Sequence, residues 1–147
     1  ADTDGELRVR VLHPPAPDWE RRRVRNDDSI VLEIVYRDVA VLLTGDISAE
    51  VEREIVPQLT HAKTRILKVA HHGSRTSSST ELLSAWRPQF ALISAGRGNT
   101  FGHPAPEVLQ RLEEVDAHVY RTDRDGQITL ETDGFLVRVR TFRDSHE

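Results

Sequence analysis

The chain has 147 residues with 20 Lys and Arg against 24 Asp and Glu, a formal net charge of −4, and hydrophobic and charged fractions of 37% and 30%. That is one ordinary globular domain with a real core. It excludes a domain-wide basic field for gripping nucleic acid, and the absence of cysteine excludes disulfides and thiolate ligands, leaving any metal to His and Asp/Glu. The longest purely apolar run, Val39-Ala40-Val41-Leu42-Leu43, is far too short for a membrane-spanning helix. The acidic start, Ala1-Asp2-Thr3-Asp4-Gly5-Glu6, is no signal peptide, and without an initiator Met it reads as a cut within a longer protein.

Residues 7–12 alternate Leu7, Val9 and Val11 with Arg8 and Arg10, which predicts a half-buried strand with the apolar residues inward. His13-Pro14-Pro15-Ala16-Pro17 stops it, and a polar loop with Arg21-Arg22-Arg23 and Arg25 follows, most simply a solvated face. Residues 29–36 and 39–44 read as strands joined by a hairpin at Arg37-Asp38. Ser48 is a candidate cap for an amphipathic helix over 49–60, with Val51, Ile55 and Leu59 on one face. Residues 65–70 predict a buried strand. After a Ser/Thr-rich loop, Ser78 and Glu81 fit a capping box for a helix carrying Leu82, Leu83 and Trp86, which Pro88 ends. Residues 90–95 form a further buried strand. A glycine-rich loop then leads to Pro104 and Pro106, opening a helix with Val108, Leu109, Leu112 and Val115. Strands over 117–122, 127–132 and 135–142, with turns at Asp125-Gly126 and Asp133-Gly134, predict a closing β meander. The whole is an α/β layered domain with a mixed sheet, residues 1–147 as one unit.

Three segments carry chemistry. Thr44-Gly45-Asp46 puts a carboxylate at a strand end, where it can bridge cations or cap the helix that follows. His71-His72-Gly73-Ser74 ends the next strand. Neutral imidazole is the commonest metal ligand, and adjacent residues of an extended chain point to opposite sides, so only one of the two faces a given metal; a buried histidine beside an exposed one is the structural alternative. Ser74, Thr76, Ser77, Ser78 and Ser79 offer hydroxyl donors to an anion nearby. Gly102-His103-Pro104 supplies a third element. If the sheet is parallel there, His103 opens on the same edge and can contact a substrate phosphate or protonate a leaving group, and it could instead simply cap the helix. Asn99 and Arg97 are weaker candidates for the same pocket.

LLTGD at 42–46, LKVAHHGSRTSSS at 67–79, ISAGRGNTFGHP at 93–104 and VYRTDRDGQITL at 119–130, with NDDS at 26–29, resemble the metallo-β-lactamase-fold domain of ComEC-type DNA-internalisation competence proteins. The resemblance covers residues from about 9 to 140. It implies an αββα sandwich with a site for two divalent metal ions, Zn or Mn. It also implies a phosphodiesterase or nuclease that degrades the DNA strand not imported. The protein would be a polytopic one of the bacterial cytoplasmic membrane, with this domain on its extracytoplasmic face. On that pattern Asp46 is the bridging metal ligand and His72 the last metal-binding histidine. His71 and His103 serve catalysis, and Ser74, Thr76, Asn99 and Arg97 bind substrate. The family's HxHxDH cluster and a further histidine would lie upstream of residue 1, so the chain matches the C-terminal half of the fold, with a partial metal shell or none and no activity alone. The implied partners are single-stranded DNA, the remainder of the membrane-embedded channel, and a second copy of the chain through the apolar surface a halved sandwich exposes. Two other readings stand beside it: another hydrolase on this fold, of phosphorylcholine esterase, lactonase or thioesterase type, and a non-catalytic DNA-binding or scaffolding module using the arginines.

Overall fold

Val39, Ala40, Leu42, Ile66 and Leu67 are each almost wholly withdrawn from solvent, as continuous apolar strands at the middle of a sheet require. In a computed structural model of the protein, which describes residues 6–15 and 25–143, they belong to a mixed sheet of six strands. These are β1 (Leu7–His13), β2 (Val31–Tyr36), β3 (Val39–Leu43), β4 (Thr64–Lys68), β5 (Phe90–Ile93) and β6 (His118–Arg121), and they lie side by side in chain order. β1, β2 and β3 pair antiparallel; β3, β4, β5 and β6 pair parallel. Each parallel step is bridged by a helix: α1 (Ala49–Ile55), α2 (Thr80–Trp86) and α3 (Pro106–Glu114). The acidic residues 1–5 and the run Arg21-Arg22-Arg23 lie outside the described residues.

The core fills the space between these helices and one sheet face. Val31, Val35, Ala40, Leu42, Leu67, Ala91 and Ile93 come from the sheet, and Val51, Ile55, Leu82, Leu83, Trp86, Val108 and Leu112 from the helices. Each Val, Leu or Ile among them contributes about 1.5–3 kcal/mol relative to its exposed state. Trp86 adds an indole N–H donated to the Ile66 carbonyl oxygen at 3.3 Å. Helix α1 is shorter than its apolar spacing predicts. A single 3-10 turn, Val56–Gln58, follows it and contains Pro57, which has no N–H to continue the ladder.

Three further elements differ from the sequence expectation. The apolar side of β1 does not face the helices: Leu7, Val9 and Val11 are 60%, 57% and 59% exposed, whereas Arg10 reaches across to the fully buried Glu33 with an N–O distance of 2.6 Å. The register explains it. Val9 stands opposite Ile34 and Val41, on the face away from the core, and the fully buried carboxylate on the core face needs a cationic partner. The cap of α2 is Ser79, not Ser78; its hydroxyl accepts the Leu82 N–H at 3.2 Å. The tail is not a continuous meander. β6 joins the main sheet, a short helix α4 (Thr122–Asp125) takes the place of the turn expected at Asp125-Gly126, and β7 (Ile128–Thr132) with β8 (Val137–Thr141) forms a separate hairpin. The turn at Asp133-Gly134 does stand, with the Asp133 carboxylate accepting the N–H groups of Phe135 and Leu136 at 2.9 and 2.8 Å.

Candidate functional site

Because β2 runs against β3, its N-terminal end meets the C-terminal ends of β3, β4 and β5 at one sheet edge. Four segments therefore converge there: 26–29, 44–46, 70–74 and 94–104. Hydrogen bonds lace them together. Thr44 Oγ1 donates to the Lys68 carbonyl at 2.6 Å, the His71 N–H to the Gly45 carbonyl at 3.0 Å, and the Asp46 N–H to Ser29 Oγ at 3.1 Å. The Ser48 N–H at the start of α1 is capped by Asp27 Oδ1 at 2.7 Å, which leaves the Asp46 carboxylate out of the capping role that its position suggests. Two glycines permit the close approach. Gly45 has φ +55°, and a Cβ there would stand 2.6 Å from Ser29 Cβ. Gly73 has φ +82°; a Cβ would stand 2.6 Å from Pro104 Cβ, and its carbonyl accepts the Ala105 N–H at 2.8 Å. Only glycine meets both demands.

The histidine pair is not extended. His71 and His72 both adopt left-handed backbone, φ 47° and 57°, so the alternation argument for opposite faces does not apply to them. His72 Nδ1 lies 2.8 Å from the Ser94 carbonyl oxygen, a contact in which the ring nitrogen must donate. That makes Nδ1 the donor and leaves Nε2 facing Asp46 Oδ1, 3.9 Å away. An imidazole held at one nitrogen by a carbonyl, with the other turned to a carboxylate, has the orientation of a metal ligand. His71 points elsewhere: its Nε2 is 3.4 Å from Asn26 Nδ2, and its ring meets that of His103 edge-on, centroids 5.9 Å apart.

His103 Nδ1 is shielded from solvent and has no hydrogen-bond partner among the described residues, the kind of unmet capacity that functional sites carry. Burial, and then the charges of His71, His72 and Arg75, hold its pKa below the ordinary imidazole value. The ring is therefore neutral at neutral pH, a hydrogen-bonding rather than a charged group. In the metal-free chain, an NMR pH titration of the imidazole protons should give His103 a midpoint below that of free histidine. His71→Ala should bring it back only part of the way, since burial is the larger cause; a midpoint at or above the free value would contradict this environment. Burial likewise lowers the pKa of Lys68, with the Asp46 carboxylate opposing the shift; its ammonium donates to the Val69 carbonyl at 2.8 Å.

The other predicted residues divide. Ser74 is buried, and its hydroxyl is used within the loop, 3.1 Å from Thr76 Oγ1. Thr76 and Arg97 are exposed. Asn99 clamps the glycine-rich loop: its Oδ1 accepts the His103 N–H at 3.0 Å, and its Nδ2 donates to the His103 and Gly96 carbonyls at 2.7 and 3.0 Å. Asn99 also lines a cavity of about 270 Å³ with His72, Ser94, Gly96, Phe101 and His103. A larger cleft of about 500 Å³ beside the β7–β8 hairpin contains none of the histidines. Asn26, Arg75 and Phe101 were not singled out from the sequence. Asn26 was legible in principle, because a residue just before a strand antiparallel to β3 must come to the edge where β3 ends.

Among the described residues no group of three or more His, Asp or Glu side chains is placed to hold a metal ion. Asp46 and the oriented His72 fit half of a shell in donor type and separation, and two donors do not complete a four-coordinate site.

No protein-family model matches the chain. It is 38% identical over 137 residues, 93% of its length, to ComE operon protein 3 of Bacillus subtilis. It is 39% identical over 125 residues, 85% of its length, to Recombination protein 2 of Haemophilus influenzae. To Competence protein ComA of Neisseria gonorrhoeae it is 34% identical over 111 residues, 74% of its length. The chain is a relative of the competence proteins. It spans 17%, 14% and 16% of the lengths of those three. Among the described residues no helix is long and apolar enough to cross a membrane. In all three relatives the matched stretch takes in most of this chain, so the likeness is not confined to one motif.

Proposed function

We propose that the chain is the C-terminal half of a metallo-β-lactamase-like, metal-dependent phosphodiesterase domain that cleaves DNA in a bacterial competence protein. The observation that carries the reading is the Asp46–His72 pair, with His72 oriented by the Ser94 carbonyl at the sheet edge it shares with His71 and His103. In this reading Asp46 and His72 hold divalent metal, Zn or Mn, together with ligands from an upstream half. When bound, the metal supplies Lewis-acid polarisation of a phosphoryl oxygen. His71 and His103 flank the phosphate: Asn26 steadies His71, and the Asn99 clamp fixes the backbone of His103. A neutral His103 offers a hydrogen bond to the leaving oxygen. Partners that follow are single-stranded DNA and the remainder of a membrane-embedded channel, with this domain on its extracytoplasmic face. The exposed row of Leu7, Val9 and Val11, together with the exposed Ile30 that precedes β2, is the surface that the rest of that protein, or a second copy of this chain, would cover.

The test is substrate choice in a longer chain that includes the upstream ligands, loaded with Mn²⁺ or Zn²⁺. Cleavage of single-stranded DNA that chelation abolishes is the expected result. Hydrolysis of a phosphorylcholine ester or a lactone without DNA cleavage would move the chain to the other hydrolases of this fold. Salt-dependent DNA binding without any cleavage would make it a scaffolding module.

A further inference from the structure

Phe101 is 81% exposed, the largest value among the exposed large apolar side chains described. It stands in the loop Gly96-Arg97-Gly98-Asn99-Thr100-Phe101-Gly102, which contains no other large apolar residue and one cation, Arg97. The loop is built to hold its shape, since the Asn99 side chain makes three hydrogen bonds across its base. The Phe101 ring lies 20° from parallel with that of His103, centroids 6.1 Å apart, and His103 in turn meets His71 edge-on. Phe101 also walls the cavity that His72 and His103 line. An aromatic column therefore runs from the candidate site out to solvent and ends in a bare ring.

We propose that Phe101 is a stacking platform for an unpaired nucleobase next to the phosphate held at the Asp46–His72 edge; this deepens the DNA reading above and rests on it. Exposed aromatic rings are one means by which proteins hold single strands without reading sequence, because every base presents a π-face. The base must be unpaired, since a base inside a duplex has both faces covered. A protein-docking or membrane-inserting surface would need a contiguous apolar patch, and the loop around Phe101 is glycine and polar residues. The platform gives the site a preference for single-stranded over duplex DNA that the metal ligands alone do not supply.

The experiment is fluorescence anisotropy of a labelled short oligothymidylate, and of an abasic strand of the same length and charge, with the 147-residue chain and its variants. Wild type should bind the thymidylate about 5- to 150-fold more tightly than the abasic strand, the range that stacking of one base spans. Phe101→Ala should lower the thymidylate affinity to the abasic level with no change in salt slope, because no charge is removed. Phe101→Trp should hold or tighten it. Equal wild-type affinity for the two strands would overturn the platform while leaving the DNA reading in place, and so would an unchanged affinity in Phe101→Ala. Binding of neither strand would overturn the platform in this chain, while the DNA reading stands or falls on cleavage by the longer, metal-loaded chain. Capture of wild type but not Phe101→Ala by phosphatidylglycerol vesicles, with no base dependence, would make the ring a membrane contact and overturn the platform.

Discussion

Asp46→Ala is expected to abolish DNA cleavage in the longer, metal-loaded chain and to leave the fold nearly untouched. The two halves of that expectation have separate causes. The Asp46 carboxylate faces His72 Nε2 at 3.9 Å and accepts no hydrogen bond among the described residues, while the backbone N–H, which donates to Ser29 Oγ, survives the substitution. Its side chain is 41% exposed, so its charge interactions with His72 and Lys68 are screened and contribute at most about 1 kcal/mol. Activity should respond on another scale. Changing residues that merely orient metal ligands already costs about 10- to 100-fold, and in the proposed reading loss of a donor itself should cost more. The measurement pairs urea unfolding with the cleavage rate. Wild-type cleavage in the variant would remove Asp46 from the chemistry. An unfolded variant would mean that the carboxylate is structural, against the geometry. His72→Ala should follow Asp46→Ala in activity, and the exposed Glu50→Ala, on the first turn of α1, should follow wild type.

The two strands that present these residues are the most legible part of the chain. Val39–Leu43 and the run around Ile66 and Leu67 are apolar at nearly every position, and only burial on both faces accounts for that. Asp46 and the histidines follow from where those strands stop. What the sequence hides are choices made by distant groups. Period-two patterning in β1 shows that its faces differ but not which one the helices cover; Glu33, 23 residues on in sequence and opposite Arg10 in the β1–β2 register, decides it by drawing Arg10 inward. The turn at Asp133-Gly134 is local and was readable from the dipeptide. Asp125-Gly126 carries the same signal but follows a strand whose partner is β5, so no hairpin forms there. The left-handed geometry of His71 and His72 has no sequence signature, since neither is glycine, and it depends on the bonds that pin Gly45 and Gly73 on either side.

The cap of α2 shows the same dependence and gives the second large effect. Glu52 on α1 is fully buried, and its two carboxylate oxygens accept the N–H groups of Ser78 and Ser79 at 2.6 and 2.7 Å. One carboxylate thus satisfies two buried donors of a loop that has no strand or helix to pair them. It also holds Ser78 at φ 52°, which a side-chain-bearing residue rarely adopts. With Ser78 turned in this way, Ser79 falls into the capping position that a local motif would assign to Ser78. Glu52→Ala leaves both donors buried and unpaired, each at a cost of about 1–3 kcal/mol. A loss of about 2–5 kcal/mol in urea unfolding is therefore expected. Glu52→Gln keeps one acceptor and turns an amide N–H₂ toward the other donor, so it should fall between wild type and alanine. Equal stability of the three would show that water replaces the carboxylate. The consequence should reach the site, because Ser77 Oγ donates to the Ala70 carbonyl at 3.0 Å and the Ser74 N–H to the His71 carbonyl at 2.9 Å. Loosening the loop frees the left-handed pair that aims His72. Under folding conditions Glu52→Ala should therefore broaden the His71 and His72 imidazole resonances, while those of His118, on β6, stay sharp.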